Sequence, residues 1–396
     1  MTGQAHLFSP ITLRGVSLAN RVVVSPMQQY MAGEDGMPTA FHRQHYGRQG
    51  LGGAGLVITE ALIVVPEGRV TAHDLGIWSD EHVGPLSAIV DELARFGAVP
   101  GTQLLHAGRK GSVSRPWEGY SPLDAASARR GDPPWTTAGP TALPANPGWH
   151  VPEALDADGI ARLLDAYAKA AARAARAGFQ VMDIHAAHGY LIHTFLSPLS
   201  NHREDEYGGD FEGRTRLLMR IVAAVRGTWP ADRPLFVRLS CVDDQEGGWT
   251  IADSVALSRL LAKAGVDVID CSSGGLGERT TTRLIRRPEG YQVPFAARIR
   301  AEASVPTMAV GLVTTPDFAD TVVREGQADL VAIGREALSN PHWPLHAARV
   351  LGHDPGFARW PDSWGWWLEK RARSAAANSA AMTEEYNTEG KERMNR

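Results

Sequence analysis

Apolar residues fall along this chain in short unbroken runs, separated by longer stretches with helical spacing. The runs are RVVVSP (21–26), GLVITEALI (55–63), PGTQLLH (100–106), VMDIH (181–185), LFVRLSC (235–241), VDVIDCS (266–272), PTMAVG (306–311) and DLVAIG (329–334). They are continuous Val/Ile/Leu stretches rather than apolar–polar alternations, the mark of parallel strands covered on both faces. Amphipathic stretches lie between them at 82–97, 156–178 (Ala-rich, ending at Gly178), 212–229, 250–265 (with Thr250 placed to cap it) and 314–326. A first crossover near 39–50 and a last one after Pro341 extend the series. This regular succession predicts an α/β fold, a closed (β/α)8 TIM barrel, ahead of an open doubly wound sheet. A barrel needs about 250 residues. The span 20–350 exceeds that mainly through 107–155, a long loop insertion after strand 3, rich in Pro, Gly and Trp. Loops of that length in compact domains usually serve function. The pattern gives one barrel domain, 1–373, with a C-terminal extension. The polar stretch 374–396, poor in large apolar residues, reads as a disordered tail.

Composition narrows the class. Apolar residues make up 43% of the chain, enough for a large core, and the net charge of −4 argues against nucleic acid as a partner. No apolar run is long enough to span a bilayer, which argues against a membrane role. The N-terminal MTGQAHLFSPITLRG lacks the basic flank and apolar stretch of a secretory signal. The two cysteines, Cys241 and Cys271, both lie in strand runs, which fits buried thiols in a reducing cytoplasm.

In a barrel, chemistry gathers at the C-terminal ends of the strands. The residues there are Ser25-Pro26-Met27-Gln28, Glu60-Ala61, Gln103 with His106, His185 with His188 and Tyr190, Arg238, Ser272-Ser273, Gly311 and Gly334-Arg335. Two glycines after strands seven and eight, with an arginine attached, favour a phosphate cradle over ordinary turn glycines. Arg238, flanked by apolar residues, needs either a structural carboxylate partner or a bound anion. Gln103 offers a donor and an acceptor, which suits a pyrimidine-like ring edge. His185 and His188 are open to two readings. Metal ligation would want carboxylates or more histidines at other strand ends; there is little of that, and the only other strand-end histidine is His106. A pair of neutral donors aimed at one oxygen fits better, and Tyr190, two residues on, is then placed to supply a proton. His193 reads as structural.

Beyond these single residues, long strings resemble the Old Yellow Enzyme family, the FMN-dependent ene-reductases, and within it the thermophilic-like branch. They are NRVVVSPM (20–27), PEGRVTAHDLGIWSDEH (66–82), HAGRKGSVSRPWEG (106–119), HAAHGYLIHTFLSPLSNHREDEYGG (185–209), LFVRLS (235–240) and AIGREAL (332–338), and the similarity spans nearly all of 7–370. The resemblance implies FMN as cofactor, NADPH or NADH as reductant and a small-molecule activated alkene as substrate, in a ping-pong cycle. By position, His185 and His188 resemble the pair that holds the carbonyl or nitro oxygen, and Tyr190 the residue that protonates the α-carbon. Gln103 and Arg238 correspond to isoalloxazine contacts, Ser25, Pro26 and Ala61 to its lining, and Gly311, Gly334 and Arg335 to the phosphate cradle. Tyr30 corresponds to a substrate-pocket tyrosine. WGWWLEK (364–370) resembles an ending that sends a tryptophan, here Trp367, into a neighbouring subunit's site, which implies a homo-oligomer, dimer or tetramer. Two departures stand out. Gln28 occupies the place of a cysteine near the flavin. The loop ERTTTRLIRRPEGY (278–291) carries Arg279, Arg283, Arg286 and Arg287, with Arg287 where relatives have tryptophan; it reads as a solvated loop or as a site for an acidic substrate or the 2′-phosphate of NADPH. Two other functions compete: a metal-dependent hydrolase, and a flavin barrel recruited for demethylation, isomerisation or CoA-ester reduction.

Overall fold

The computed structural model describes residues 6–277 and 287–394, with side chains to residue 378. All eight predicted runs are strands: β1 Val22–Val24, β2 Leu56–Ile63, β3 Val99–Leu105, β4 Val181–Ala186, β5 Leu235–Ser240, β6 Val268–Ser272, β7 Thr307–Ala309 and β8 Leu330–Ile333. They pair in parallel with their chain neighbours, and β8 closes on β1 through Val331–Val22, Ala332–Val23 and Ile333–Val24. The molecule is a (β/α)8 TIM barrel. The crossovers are α1 Ala40–Gly50, α2 Val83–Arg95, α3 Ala157–Ala177, α4 Phe211–Arg226, α5 Ile251–Lys263, α6 Val293–Ala303, α7 Pro316–Arg324 and α8 Trp343–Val350. The sequence reading passed over α6. Its apolar pattern is short, although Pro294 in the first turn is a helix-start signal.

Local chemistry sets the helix ends. Asp156 accepts from the Gly159 N–H at the start of α3, and Gly178 ends it in the left-handed conformation at φ +97°. Thr250 and Asp253 cap α5 reciprocally. Two apolar layers result. One lies between barrel and helices, and the other fills the barrel with Val23, Leu56, Ile58, Val181, Phe236, Val268, Met308 and Leu330. An N-terminal hairpin, Ile11–Leu13 with Val16–Leu18, adds Leu13, Val16 and Leu18 to that inner layer and closes its lower end.

The insertion is tied down by short elements: single 3-10 turns at Gly108–Lys110 and Pro116–Glu118, a helix at Ala125–Arg129, and a two-residue ladder of Ala138–Gly139 with Glu153–Ala154. The last helix runs from Asp362 to Met394. A low apolar content says only that a segment has little to bury. The alanines and long-chain polar residues of 374–394 still favour helical backbone locally. Among the described residues no helix is long and apolar enough to cross a membrane.

Phe236 is fully buried at the centre of the barrel. Phe236→Ala is expected to cost about 3–5 kcal/mol, read as a lower midpoint of urea unfolding. An unchanged midpoint would show that the inner layer collapses onto the void.

Candidate functional site

The strand ends enclose a cavity of about 150 Å³ lined by Pro26, Gln28, Tyr30, Ala61, Gln103, Leu105, His185, His188 and Tyr190. Leu105 alone among these is not singled out by the sequence. The cavity exists because β2 breaks register with β3 between Ile58 and Ala61, so that Ala61 pairs with Gln103. An extra residue in one strand re-aims the side chains beyond it. Glu60, within the break, is turned away into contact with His42, Tyr46 and the Gln29 N–H.

Beyond β4 the chain turns sharply. His188 has φ +60°, uncommon for a residue with a side chain, and Gly189 follows at +74°. Both peptide groups are clamped. The His188 N–H donates to Ser240 Oγ at 2.9 Å, and its carbonyl accepts from Lys110 Nζ at 2.8 Å. The Gly189 N–H donates to His193 Nδ1 at 2.8 Å, and His193 Nε2 in turn donates to Asp243 at 2.8 Å. Ser197 and the Trp249 N–H satisfy the other Asp243 oxygen. A side chain at Gly189 would meet the Gly275 carbonyl oxygen at 2.3 Å. His193 is therefore structural.

The turn sets His188 Nδ1 3.1 Å from His185 Nε2. The Ala187 N–H donates to His185 Nδ1 at 3.1 Å, which fixes the ring proton of neutral His185 on Nε2. Burial, and then the Arg238 charge, hold both imidazoles well below the usual histidine range, so they are neutral. The Tyr190 ring centroid lies 5.0 Å from that of His185. Burial, and then Tyr120, push the Tyr190 phenol well above its ordinary value.

Opposite the histidines, Gln28 Oε1 accepts from the Ala61 N–H at 2.7 Å, and its Nε2 has no partner. Gln103 Nε2 is held by Asp183 at 2.7 Å, which leaves its carbonyl oxygen for an incoming donor. Arg238 donates to Ser25 Oγ at 3.2 Å and sits 3.3 Å from buried Asp270, but its Nε makes no hydrogen bond. Arg238 thus has the carboxylate partner and retains an unused donor. Gly311 and Gly334 end the adjacent strands β7 and β8. A Cβ at Gly311 (φ +117°) would meet Gln292 Oε1 at 2.6 Å, and one at Gly334 would meet Met27 Sδ at 3.4 Å. Arg335 is exposed beside them. Unpaired amide and guanidinium donors, a free carbonyl and side-chain-free backbone at two strand ends fit a flat heteroaromatic ring with an anionic tail, as FMN has.

Other expected residues lie apart. Arg287 donates to Tyr291 Oη at 2.7 Å and does not line the cavity. Arg279, Arg283 and Arg286 lie outside the described residues. Trp367 is 66% exposed and does not reach this chain's own cavity. His106 is buried, accepting from the Gly108 N–H, behind the cavity wall. The grouping with metal-like spacing among the described residues is His6, Asp320 and His353, which includes neither cavity histidine. The sequence gives no sign of Tyr120, Lys110 or Asp74. Tyr120, from the insertion, is pushed up to about 12 by burial, and then by Asp74. Buried Asp74 accepts from the Val70 N–H and Thr71 and is raised to about 7 by that burial. None of the three lies at a strand end.

The family described as NADH:flavin oxidoreductase / NADH oxidase matches residues 6–353. An NADPH dehydrogenase of Geobacillus thermodenitrificans (strain NG80-2) is 44% identical over 347 residues, 87% of this chain and 94% of the relative. Among solved structures, the old yellow enzyme homologue from Zymomonas mobilis superposes with a TM-score of 0.72 at 28% identity, covering 88% of this chain and 93% of that one. Morphinone reductase superposes with a TM-score of 0.71 at 27% identity, over 88% and 90%.

His193→Ala would leave the Asp243 carboxylate buried without its imidazole and the Gly189 N–H without an acceptor. Leaving each of these buried groups without its hydrogen bond costs about 1–3 kcal/mol, so a marked fall in the thermal midpoint is expected. If the midpoint held, the turn would not depend on this pair.

Proposed function

The chain belongs to the NADH:flavin oxidoreductase / NADH oxidase family, and from that premise we propose that it is an FMN-dependent ene-reductase of Old Yellow Enzyme type, taking reducing equivalents from NAD(P)H and delivering them to an activated alkene. The observation that carries this reading is the convergence of His185 Nε2 and His188 Nδ1, 3.1 Å apart, beside the Tyr190 phenol in one cavity. FMN, when bound, supplies the hydride chemistry. Gln103, Gln28, Ala61, Ser25, Pro26 and Arg238 would hold its ring, and Gly311, Gly334 and Arg335 its phosphate. His185 and His188 bind the carbonyl or nitro oxygen of the alkene and draw electron density away from its β-carbon. Neutral imidazoles suit the task, because they donate without giving up a proton. Tyr190, kept protonated by burial, delivers a proton to the α-carbon. Tyr30 stands at the mouth as the substrate-side wall. The reductase is tested by anaerobic reduction with NADH and with NADPH, then reoxidation by a panel of enones, maleimides, nitroalkenes and enoyl-CoA esters. Failure of every alkene to reoxidise the reduced protein would sink it.

We assign the exposed tryptophans of the last helix to a homo-oligomer interface. Trp364, Trp366 and Trp367 are 40%, 50% and 66% exposed along one short segment. Contiguous apolar surface of this kind marks an interaction site, and we assign Trp367 to a neighbouring copy's cavity.

Tyr190→Phe should slow reoxidation by an enone far more than reduction by NAD(P)H, because only reoxidation needs a proton at carbon. Stopped-flow traces of the two half-reactions check this, and equal, wild-type rates would remove Tyr190 as the acid. His185→Ala and His188→Ala should each forfeit about 3 kcal/mol of transition-state stabilisation, a hundredfold or more in rate, and should weaken a phenol read through its long-wavelength band with the flavin. Wild-type affinity in both variants would refute the oxygen-holding role.

A further inference from the structure

Residues 113–122 of the insertion form an antiparallel hairpin, closed by the Val113–Pro122 bridge. The Ser114 N–H donates to the Ser121 carbonyl at 2.8 Å, and the Ser121 N–H donates to Ser114 Oγ at 3.1 Å. The base of the hairpin is sewn down: the Val113 N–H donates to the Val70 carbonyl at 3.0 Å, and the Leu123 N–H to the Ser112 carbonyl at 2.9 Å. Its tip is the 3-10 turn Pro116–Glu118, ended by Gly119 in the left-handed conformation at φ +109°. Two aromatic side chains leave this tip for different surroundings. Tyr120 packs into the cavity wall with Ala61, Leu105 and Tyr190, and meets the Trp149 ring edge-on at 5.7 Å. Trp117 stays outside, 61% exposed, with its ring centroid 6.0 Å from that of Tyr30 and inclined to it at 73°. Tyr30 lines the cavity, so Trp117 carries that wall outward.

One exposed apolar side chain is ordinary on a protein surface. Trp117 differs in how firmly it is held. Pro116 fixes the first residue of its turn. The Arg115 guanidinium lies over its ring, 5.6 Å from the centroid, and donates to Glu118 Oε1 at 2.5 Å. Hairpin, proline and ion pair leave an indole that is exposed yet set in place, which lowers the ordering cost when a flat group stacks on it. Its neighbour is also unusual. Tyr30 has φ +57°, a backbone strain of the kind that gathers at ligand sites.

The chemistry of the indole selects what it holds. Aryl rings gain an offset or edge-on contact with it beyond the area they bury. A saturated group of the same size gains the burial alone. The histidine pair anchors one end of a substrate by its oxygen, and a substituent that runs from there past Tyr30 arrives at Trp117.

We propose that Trp117 is a specificity-determining residue, a stacking platform at the rim that favours activated alkenes bearing an aryl group over those bearing an alkyl group. This rests on the reading of His185 and His188 as the oxygen-holding pair.

The test uses the holoenzyme and reads dissociation constants from the long-wavelength band of bound phenols. The probes are phenol, 3- and 4-phenylphenol, and the two cyclohexylphenols of matching substitution. Wild type should bind one phenylphenol up to about tenfold more tightly than its cyclohexyl counterpart, the range of an aromatic pair. Trp117→Ala should abolish that preference while phenol, which ends short of the platform, binds as before. Trp117→Phe should keep part of the preference. Absence of an aryl preference in wild type, or its survival in Trp117→Ala, overturns the proposal. So does an equal loss for phenol and the phenylphenols, which would make Trp117 a support of the wall, or a smaller particle by light scattering, which would make it a subunit contact. His185→Ala separates the two levels. If it leaves phenol affinity unchanged, the oxygen-holding reading itself fails. If it weakens phenol while Trp117→Ala treats aryl and cyclohexyl probes as wild type does, only the platform fails.

Discussion

The two peptide groups flanking His188 bear the stress of the whole site. A left-handed backbone at a residue with a side chain costs on the order of 1–3 kcal/mol and persists only where its surroundings over-determine it. Here they do. Ser240 from β5, Lys110 from the insertion and His193 from the helix that follows each take one polar atom of the turn. Lys110 Nζ also holds the Gly275 carbonyl, so the segment after β6 is tied to the same point. Barrel and insertion meet there, and both imidazoles and the phenol take their directions from it.

Above the apolar floor of the barrel lies a band of buried charge. Asp270 pairs with the Arg238 guanidinium at 3.3 Å, and Asp183 beside it is held by Gln103 at 2.7 Å. Burial, and then the Asp270 charge, hold Asp183 well above the usual carboxylate range, and burial likewise raises Asp270. On the proposed assignment, Arg238 would meet the flavin while desolvation keeps the substrate-side histidines uncharged. Charge and hydrogen-bond donation would then be separated: a guanidinium for the anionic partner, and neutral donors for the reacting oxygen.

Unbroken apolar runs revealed the barrel in the sequence, because strands covered on both faces admit no other pattern. Its strand ends then pointed to the cavity, since the geometry of a closed barrel brings positions such as Gln28, Ala61, Gln103 and His185 together whatever separates them in the chain. Contacts made away from strand ends were not legible. Tyr120 reaches Tyr190 only because the insertion folds back, and Trp117 reaches Tyr30 by the same fold. The helical course of 374–394 was hidden for the opposite reason. Its backbone preference is local, while the low apolar content used to judge it measures only what it has to bury.

The N-terminal hairpin corks the barrel from below, with Leu13, Val16 and Leu18 packed among Phe236, Met308 and Leu330. That end of the barrel is thereby closed to any ligand. On the proposed ping-pong cycle, nicotinamide and alkene would share the cavity at the opposite end, each entering only after the other has left.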